Sequence, residues 1–280
     1  MKDSVILSAI QMASGPNVNA NLLEAGRLLA EAAAKGAELV VLPENFAYMG
    51  RQESDLLSVK EVEGQGPIQE FLAQQAKKHQ FWLVGGTVPL QSKQPNRVRA
   101  ASLLLDPNGQ VVARYDKIHL FDVHLEETGE SYTESKTIEG GDHIVVINTP
   151  LGRIGLAICY DLRFPEIFRQ MLDQGVEIFV LPSAFTAITG KAHWESLLRA
   201  RAIENLSYLV AANQGGYHVG SRETYGNSMI IDPWGNILQQ LPRGVGVIQV
   251  QAERGYIEKV RRNFPTINHR RFHCVSNRTP

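Results

Sequence analysis

Apolar residues in this chain fall into two patterns that alternate along it. Short unbroken runs, such as residues 5–11, Leu39-Val40-Val41-Leu42 and residues 154–158, have the length of buried strands. Between them lie stretches with apolar residues at helical spacing. Residues 21–35 carry Leu22, Leu23, Leu28 and Leu29 among alanines, with Gly36 placed to end the helix, and a second helix is expected over about 68–79. A strand at 82–86 follows. Two more strands flank Asp106-Pro107-Asn108-Gly109, a turn with proline second and glycine fourth. This order predicts a mixed sheet with helices packed against it.

The same order then returns. Gly36-Ala-Glu-Leu-Val-Val-Leu-Pro43 is echoed by Gly175-Val-Glu-Ile-Phe-Val-Leu-Pro182, Leu83-Val84 by Leu209-Val210, and Asp106-Pro-Asn-Gly109 by Asp232-Pro-Trp-Gly235. Three echoes in one order point to two similar α/β layers. If their sheets stack face to face, helices must cover both outer sides, and the fold class is a four-layer α-β-β-α sandwich with two mixed sheets. No linker separates the halves, so residues 1–280 are expected to form one domain with a tail from about 264. The stretch 121–142 is polar and without a period. A loop that long in a compact fold is often functional. The tail, with Arg270, Arg271, Phe272 and His273, is expected to pack on something, a second subunit included.

Charge and cysteine content narrow the function. The 28 basic and 29 acidic residues nearly cancel, which argues against nucleic acid or an anionic membrane as partner. No apolar run is long enough to span a membrane, and the N-terminal one is too short for a signal peptide. Cys159 and Cys274 form neither a disulfide framework nor a zinc motif. A reducing, cytoplasmic location and no metal are expected.

Candidate chemistry centres on IGLAICYDLRFPE, residues 154–166. A buried strand stops at Cys159, and Pro165 is suited to begin a helix, so a thiol stands where open α/β sheets place their chemistry. Taken alone, a free cysteine is more often a small core residue, and it is the sequence around Cys159 that favours chemistry. Glu44 ends the run Val40-Val41-Leu42-Pro43, and Lys117 follows a strand at 111–115. Glu134 lies in the long polar stretch. A thiol needs a base and a cation to act as a nucleophile at neutral pH. Glu44 can accept its proton, and Lys117 can steady the thiolate and an oxyanion, with the Tyr160 N–H as a second donor. A Cys-His pair using His119 or His193 is the competing arrangement. Arg163 could hold a substrate carboxylate or pair with Glu166, and Phe185 and Thr186 could line a pocket or simply pack.

The segments LVVLPENF, YDKIHLFD, TESK, GLAICYDLRFPE, LPSAFTAITGKAHWESLLRARAIEN and YGNSMIIDPWG resemble the nitrilase, or carbon–nitrogen hydrolase, superfamily, from Val5 to about Arg271. The resemblance implies an α-β-β-α sandwich and a cofactor-free amidase. In it Glu44 is the general base, Lys117 the oxyanion stabiliser, Cys159 the nucleophile and Glu134 a second glutamate that orients the lysine. It also implies a small-molecule amide as substrate and a homodimer or larger homo-oligomer. SAFTAITGKAHWE is most similar to the branch acting on deaminated glutathione, with ω-amidases next and nitrile or N-carbamoyl hydrolases also within the superfamily. A non-enzymatic scaffold is the reading from another class. The stretch His124-Leu125-Glu126-Glu127-Thr128-Gly129 departs from the ω-amidases by its length.

Overall fold

The first half of the chain runs β1 (Ser4–Gln11), α1 (Val18–Ala34), β2 (Leu39–Val41), α2 (Pro67–His79), β3 (Trp82–Val84), β4 (Val88–Gln91), β5 (Val98–Leu105) and β6 (Val111–Asp116). A small hairpin, β7 (Asp122–Leu125) and β8 (Glu130–Thr133), leads to β9 (Val145–Thr149). The second half follows as β10 (Gly152–Leu156), α3 (Pro165–Asp173), β11 (Ile178–Ser183), α4 (Ala187–Asn205) and β12 (Tyr208–Asn213). It closes with β13 (Gly215–Tyr217), β14 (Glu223–Tyr225), β15 (Ser228–Ile231), β16 (Ile237–Leu241), β17 (Gly246–Glu253) and α5 (Arg254–Asn263). The structure is a computed structural model, describing residues 3–126 and 129–274.

Two mixed sheets result, ordered β17-β1-β2-β3-β5-β4, with β6 also on β5, and β16-β15-β12-β11-β10-β9. The echoes in sequence are echoes in topology. In one sheet β1, β2 and β3 are parallel and β5 antiparallel to them; in the other β10, β11 and β12 are parallel and β15 antiparallel. Both DPxG turns close the same way. The Asp106 carboxylate accepts the N–H of Asn108 and Gln110, and that of Asp232 accepts those of Trp234 and Asn236. Gly109 and Gly235 take φ of +81° and +89°, the left-handed region that glycine enters without a Cβ penalty.

The layers follow from strand alternation. Leu39 and Val41 point into one core with Leu7, Ala9, Val180 and Val210, whereas Val40 and Leu42 point to the other with Leu28, Leu29 and Leu72 of α1 and α2. All eleven of these side chains are below 1% exposed, each contributing about 1.5–3 kcal/mol of apolar burial except the smaller alanine. On the far side of the second sheet, Phe168 and Met171 of α3 and Trp194 and Leu198 of α4 complete the sandwich. Leu23 departs from the expected stripe: it is 79% exposed, because the inward face of α1 runs through Ala25, Leu28, Leu29 and Ala32.

Residues 121–142 are not the structureless loop expected. They hold the hairpin β7–β8, whose Asp-Val-His-Leu and Glu-Ser-Tyr-Thr strands are too polar to announce themselves. Glu127 and Thr128, part of the unusually long connection, lie outside the described residues, as do 275–280 of the tail. The described part of the tail folds back on its own chain, where Arg270 pairs with Asp173 and Ile267 packs against the core. No helix among the described residues is long and apolar enough to cross a membrane.

Candidate active site

Each candidate stands just past a strand end, where neighbouring connections diverge and leave a crevice. Glu44 follows β2, Lys117 follows β6, Cys159 follows β10, and Phe185 and Thr186 follow β11. Glu134 opens a short 3₁₀ turn after β8. Glu44, Lys117, Glu134 and Cys159, with the Tyr160, Arg163, Phe185 and Thr186 expected around them, all line one crevice of about 440 Å³, counting the space open to solvent. At its base Lys117 Nζ donates to Glu44 Oε1 and Glu134 Oε1, both at 2.8 Å. Lys117 is 2% exposed, Glu44 4%, Glu134 7% and Cys159 9%, so four ionisable groups share a site nearly out of water.

Local structure fixes each of them. Glu134 Oε2 accepts the Phe121 N–H at 2.6 Å, which ties the glutamate to the start of the β7–β8 segment. The carbonyl of Glu44 accepts from Gln214 Nε2 at 2.9 Å, and the next residue, Asn45, turns left-handed at φ +57° with its N–H on Thr87 Oγ1. Cys159 itself has φ +44°, a conformation costing a non-glycine residue roughly 1–3 kcal/mol and found where a fold over-determines it. The restraint is Asp161. Wholly buried, it accepts the Ile158 N–H at 2.8 Å, the Tyr115 hydroxyl at 2.7 Å and the His119 N–H at 3.1 Å. One carboxylate thus pins both sides of the elbow.

Asp161 also engages His119, one of the two histidines in the competing arrangement. His119 Nδ1 lies 2.8 Å from Asp161 Oδ1, and its ring stacks on Phe164 at 3.7 Å between centroids and 6° between planes. Neither His119 nor His193 lines the cavity, whereas Glu44 does. His193 instead meets Arg163, Nη1 to Nδ1 at 3.2 Å. Arg163 makes no ion pair with Glu166 among the described residues; its guanidinium lies over the rings of Tyr160 and Phe185, 5.7 and 5.3 Å from their centroids. Phe185 both lines the cavity and packs on Trp194, and Thr186 caps α4 through its hydroxyl.

The charges are strongly coupled. Burial alone would depress Lys117, but Glu134, Glu44 and Cys159 hold it well above its ordinary range, so it is an ammonium. Burial, together with Glu44 and Glu53, pushes Glu134 up to about 7 against the pull of Lys117. Burial and Glu44 also push the Cys159 thiol well above its usual value, while Lys117 and the amide of Ala184 pull the other way. The resting thiol is therefore protonated and needs a base to become a nucleophile.

Such a set (a protonated thiol, a carboxylate beside it and an ammonium held between two carboxylates) matches a family known by sequence. The carbon–nitrogen hydrolase profile matches residues 6–262. The chain belongs to the carbon–nitrogen hydrolase family. A deaminated glutathione amidase of Yersinia enterocolitica is 39% identical over 275 residues, covering 98% of this chain and 95% of that one. One from Homo sapiens is 38% identical over 269 residues, 95% of this chain and 82% of that one. Among solved structures, the C. elegans NitFhit protein superposes with a TM-score of 0.87 at 34% identity; the match covers 96% of this hydrolase and 66% of that longer chain. Saccharomyces cerevisiae Nit3, of the nitrilase superfamily, gives 0.87 at 28% identity over 97% of this hydrolase and 98% of its own chain. The expected α-β-β-α sandwich is thus the fold.

Sequence reading passed over Glu53, Phe121 and Arg222, which also line the cavity of the hydrolase. Arg222 Nη1 donates to Glu53 Oε1 at 3.2 Å, and its guanidinium lies 5.4 Å from the Tyr132 centroid. Both belong to connections with no period to mark them. Position just before the YGNSM segment was the one available signal for Arg222.

Proposed function

We propose that this hydrolase is an amidase working through a thioester on Cys159, with deaminated glutathione as its substrate. The observation that carries the reaction is the Lys117 ammonium, bridging Glu44 and Glu134 beside a buried thiol. Glu44 accepts the proton of Cys159 as Sγ attacks the amide carbonyl. Lys117 Nζ and the Tyr160 N–H hold the negative charge that develops on the carbonyl oxygen. Protonated Glu44 then gives its proton to the departing nitrogen, the C–N bond breaks, and an amine leaves an acyl thioester. Glu44 next takes a proton from water, whose oxygen attacks the thioester; the acid is released and the thiol reforms. Glu134 keeps Lys117 charged and aimed.

The substrate reading draws on the relatives of Yersinia and Homo sapiens named for that activity, and on Arg163. Alone among the cavity's cations, Arg163 has no carboxylate at ion-pair distance among the described residues, so it can bind the α-keto acid carboxylate. Small ω-amides such as α-ketoglutaramate carry the same carboxylate and form the second reading. We further propose a cytoplasmic enzyme, where the unpaired Cys159 and Cys274 stay reduced, that assembles as a homo-oligomer.

Assay of a panel of deaminated glutathione, α-ketoglutaramate, a nitrile and an N-carbamoyl amino acid tests the reading. Deaminated glutathione is expected to give the highest kcat/KM. Turnover of the nitrile or carbamoyl compound alone would overturn it.

A further inference from the structure

Arg222 stands at one end of a row of three aromatic rings. Its guanidinium lies 5.4 Å from the Tyr132 centroid, Tyr132 lies 5.0 Å from Phe121, Phe121 lies 5.0 Å from Tyr160, and Arg163 covers Tyr160 at 5.7 Å. A cation thus closes each end of one aromatic row, and both cations line the same cavity as Cys159. The two arise from separate parts of the chain. Arg163 ends the 3₁₀ turn that begins at Cys159, and Arg222 follows the 3₁₀ turn Val219–Ser221 between β13 and β14.

Deaminated glutathione has matching chemistry. It is an α-ketoglutaryl group in amide linkage with cysteinylglycine, so it carries one carboxylate on the acyl side of the scissile bond and one at the glycine end. The acyl side stays on Cys159 as the thioester, and the cation on the Cys159 turn, Arg163, is the partner suited to its carboxylate. The departing side needs another. We propose that Arg222 binds the carboxylate of the leaving peptide, so that the cavity selects an amide with an anion at each end.

The state of Arg222 fits this role. Nη1 holds Glu53, but the buried Nε has no hydrogen-bond partner among the described residues. The edge carrying Nε and Nη2 is the one that grips a carboxylate through two parallel hydrogen bonds. Glu53 supplies countercharge that keeps the guanidinium stable in a half-buried position, and a single 3.2 Å contact leaves the fork to substrate. Glycine at 220, with φ +80°, lets this loop approach Arg51: a Cβ there would lie 3.1 Å from Arg51 Cγ. The loops bearing Glu53 and Arg222 are therefore in contact before substrate arrives.

The assignment rests on the deaminated glutathione reading, and one experiment separates the two. The substrates are deaminated glutathione and its C-terminal carboxamide, equal in size but neutral at the glycine end. The enzymes are wild type, Arg222→Met and Arg222→Lys, with cysteinylglycine or its amide measured as product. Wild type is expected to prefer the acid by roughly ten- to a hundred-fold in kcat/KM, the usual effect of one charge-assisted contact. In Arg222→Met the preference is expected to fall to near one. Arg222→Lys keeps the charge that Glu53 balances but not the fork, and is expected to retain a reduced preference. A wild type indifferent to the carboxamide overturns the assignment, as does a preference that survives in both variants. So does an equal loss on both substrates, which would mean that Arg222 only supports the loop. A wild type that releases peptide from neither compound defeats the substrate reading itself, and this assignment with it.

Discussion

At the scale of single residues, Cys159 is held between opposed influences, and this makes its variants informative. Glu44 raises the thiol pKa and Lys117 lowers it. Glu44→Gln removes both the proposed proton acceptor and that repulsion. Turnover is expected to fall by on the order of 10²-fold or more, yet iodoacetamide is expected to alkylate Cys159 with a midpoint at lower pH than in wild type. Rates of alkylation against pH check this, and a midpoint at higher pH would show that Glu44 does not act on the thiol as described. His119→Asn is expected to cost far less activity, since His119 is engaged by Asp161 and Phe164. A larger loss for His119→Asn than for Glu44→Gln would restore the Cys-His arrangement. Glu134 gives a pH signature in stability. Its carboxyl sits at about 7 in the folded chain against 4.5 ordinarily, so ionising it opposes folding. Its contribution is complete below about pH 4.5 and is lost as pH rises through about 7. Relative to Glu134→Gln, the wild-type melting temperature is therefore expected to decline across that window; a difference independent of pH would contradict the coupling.

At the scale of elements, the site depends on the strand-to-helix elbow and on the residue that fastens it. Asp161→Ala leaves the Ile158 N–H, the Tyr115 hydroxyl and the His119 N–H without their acceptor. Each unsatisfied buried donor costs about 1–3 kcal/mol, so a loss of at least about 3 kcal/mol and several degrees of melting temperature is expected. Calorimetry that found no change would show that Cys159 holds φ +44° without Asp161. This element also shows what was legible in advance. The ends of β2 and β10 could be placed because buried parallel strands are unbroken apolar runs, and Glu44 and Cys159 follow those runs into the crevice. Strand β6, antiparallel to β5 and partly exposed, was marked instead by the Asp-Pro-Asn-Gly turn before it. The hairpin β7–β8 left no such trace because its strands are partly exposed and polar. Glu53 and Arg222 reach the cavity only by convergence of two loops, a tertiary event without local periodicity. The restraint on the elbow was invisible for a similar reason: Asp161 looks like any turn aspartate until Tyr115 and His119 are brought to it.

For the whole molecule, the repeat read from three echoes proved to be a repeat of topology, and it puts the ends of two similar sheets around one cavity. Assembly is the remaining proposal at this scale. Trp234 and Phe264 meet edge to face at 5.3 Å while 51% and 46% exposed, and Phe272 is 90% exposed. Sedimentation at micromolar concentration is expected to show a species larger than the monomer, weakened when residues beyond Asn263 are removed; a monomeric full-length protein would contradict this. The central claim is that Cys159 carries the acyl group during turnover, and the direct measurement is mass spectrometry of peptides from enzyme quenched in acid during hydrolysis of deaminated glutathione. The account predicts an α-ketoglutaryl adduct on Cys159, absent in Cys159→Ala, which is expected to retain its fold without activity. Turnover persisting in Cys159→Ala, or an adduct on any other residue, would contradict it.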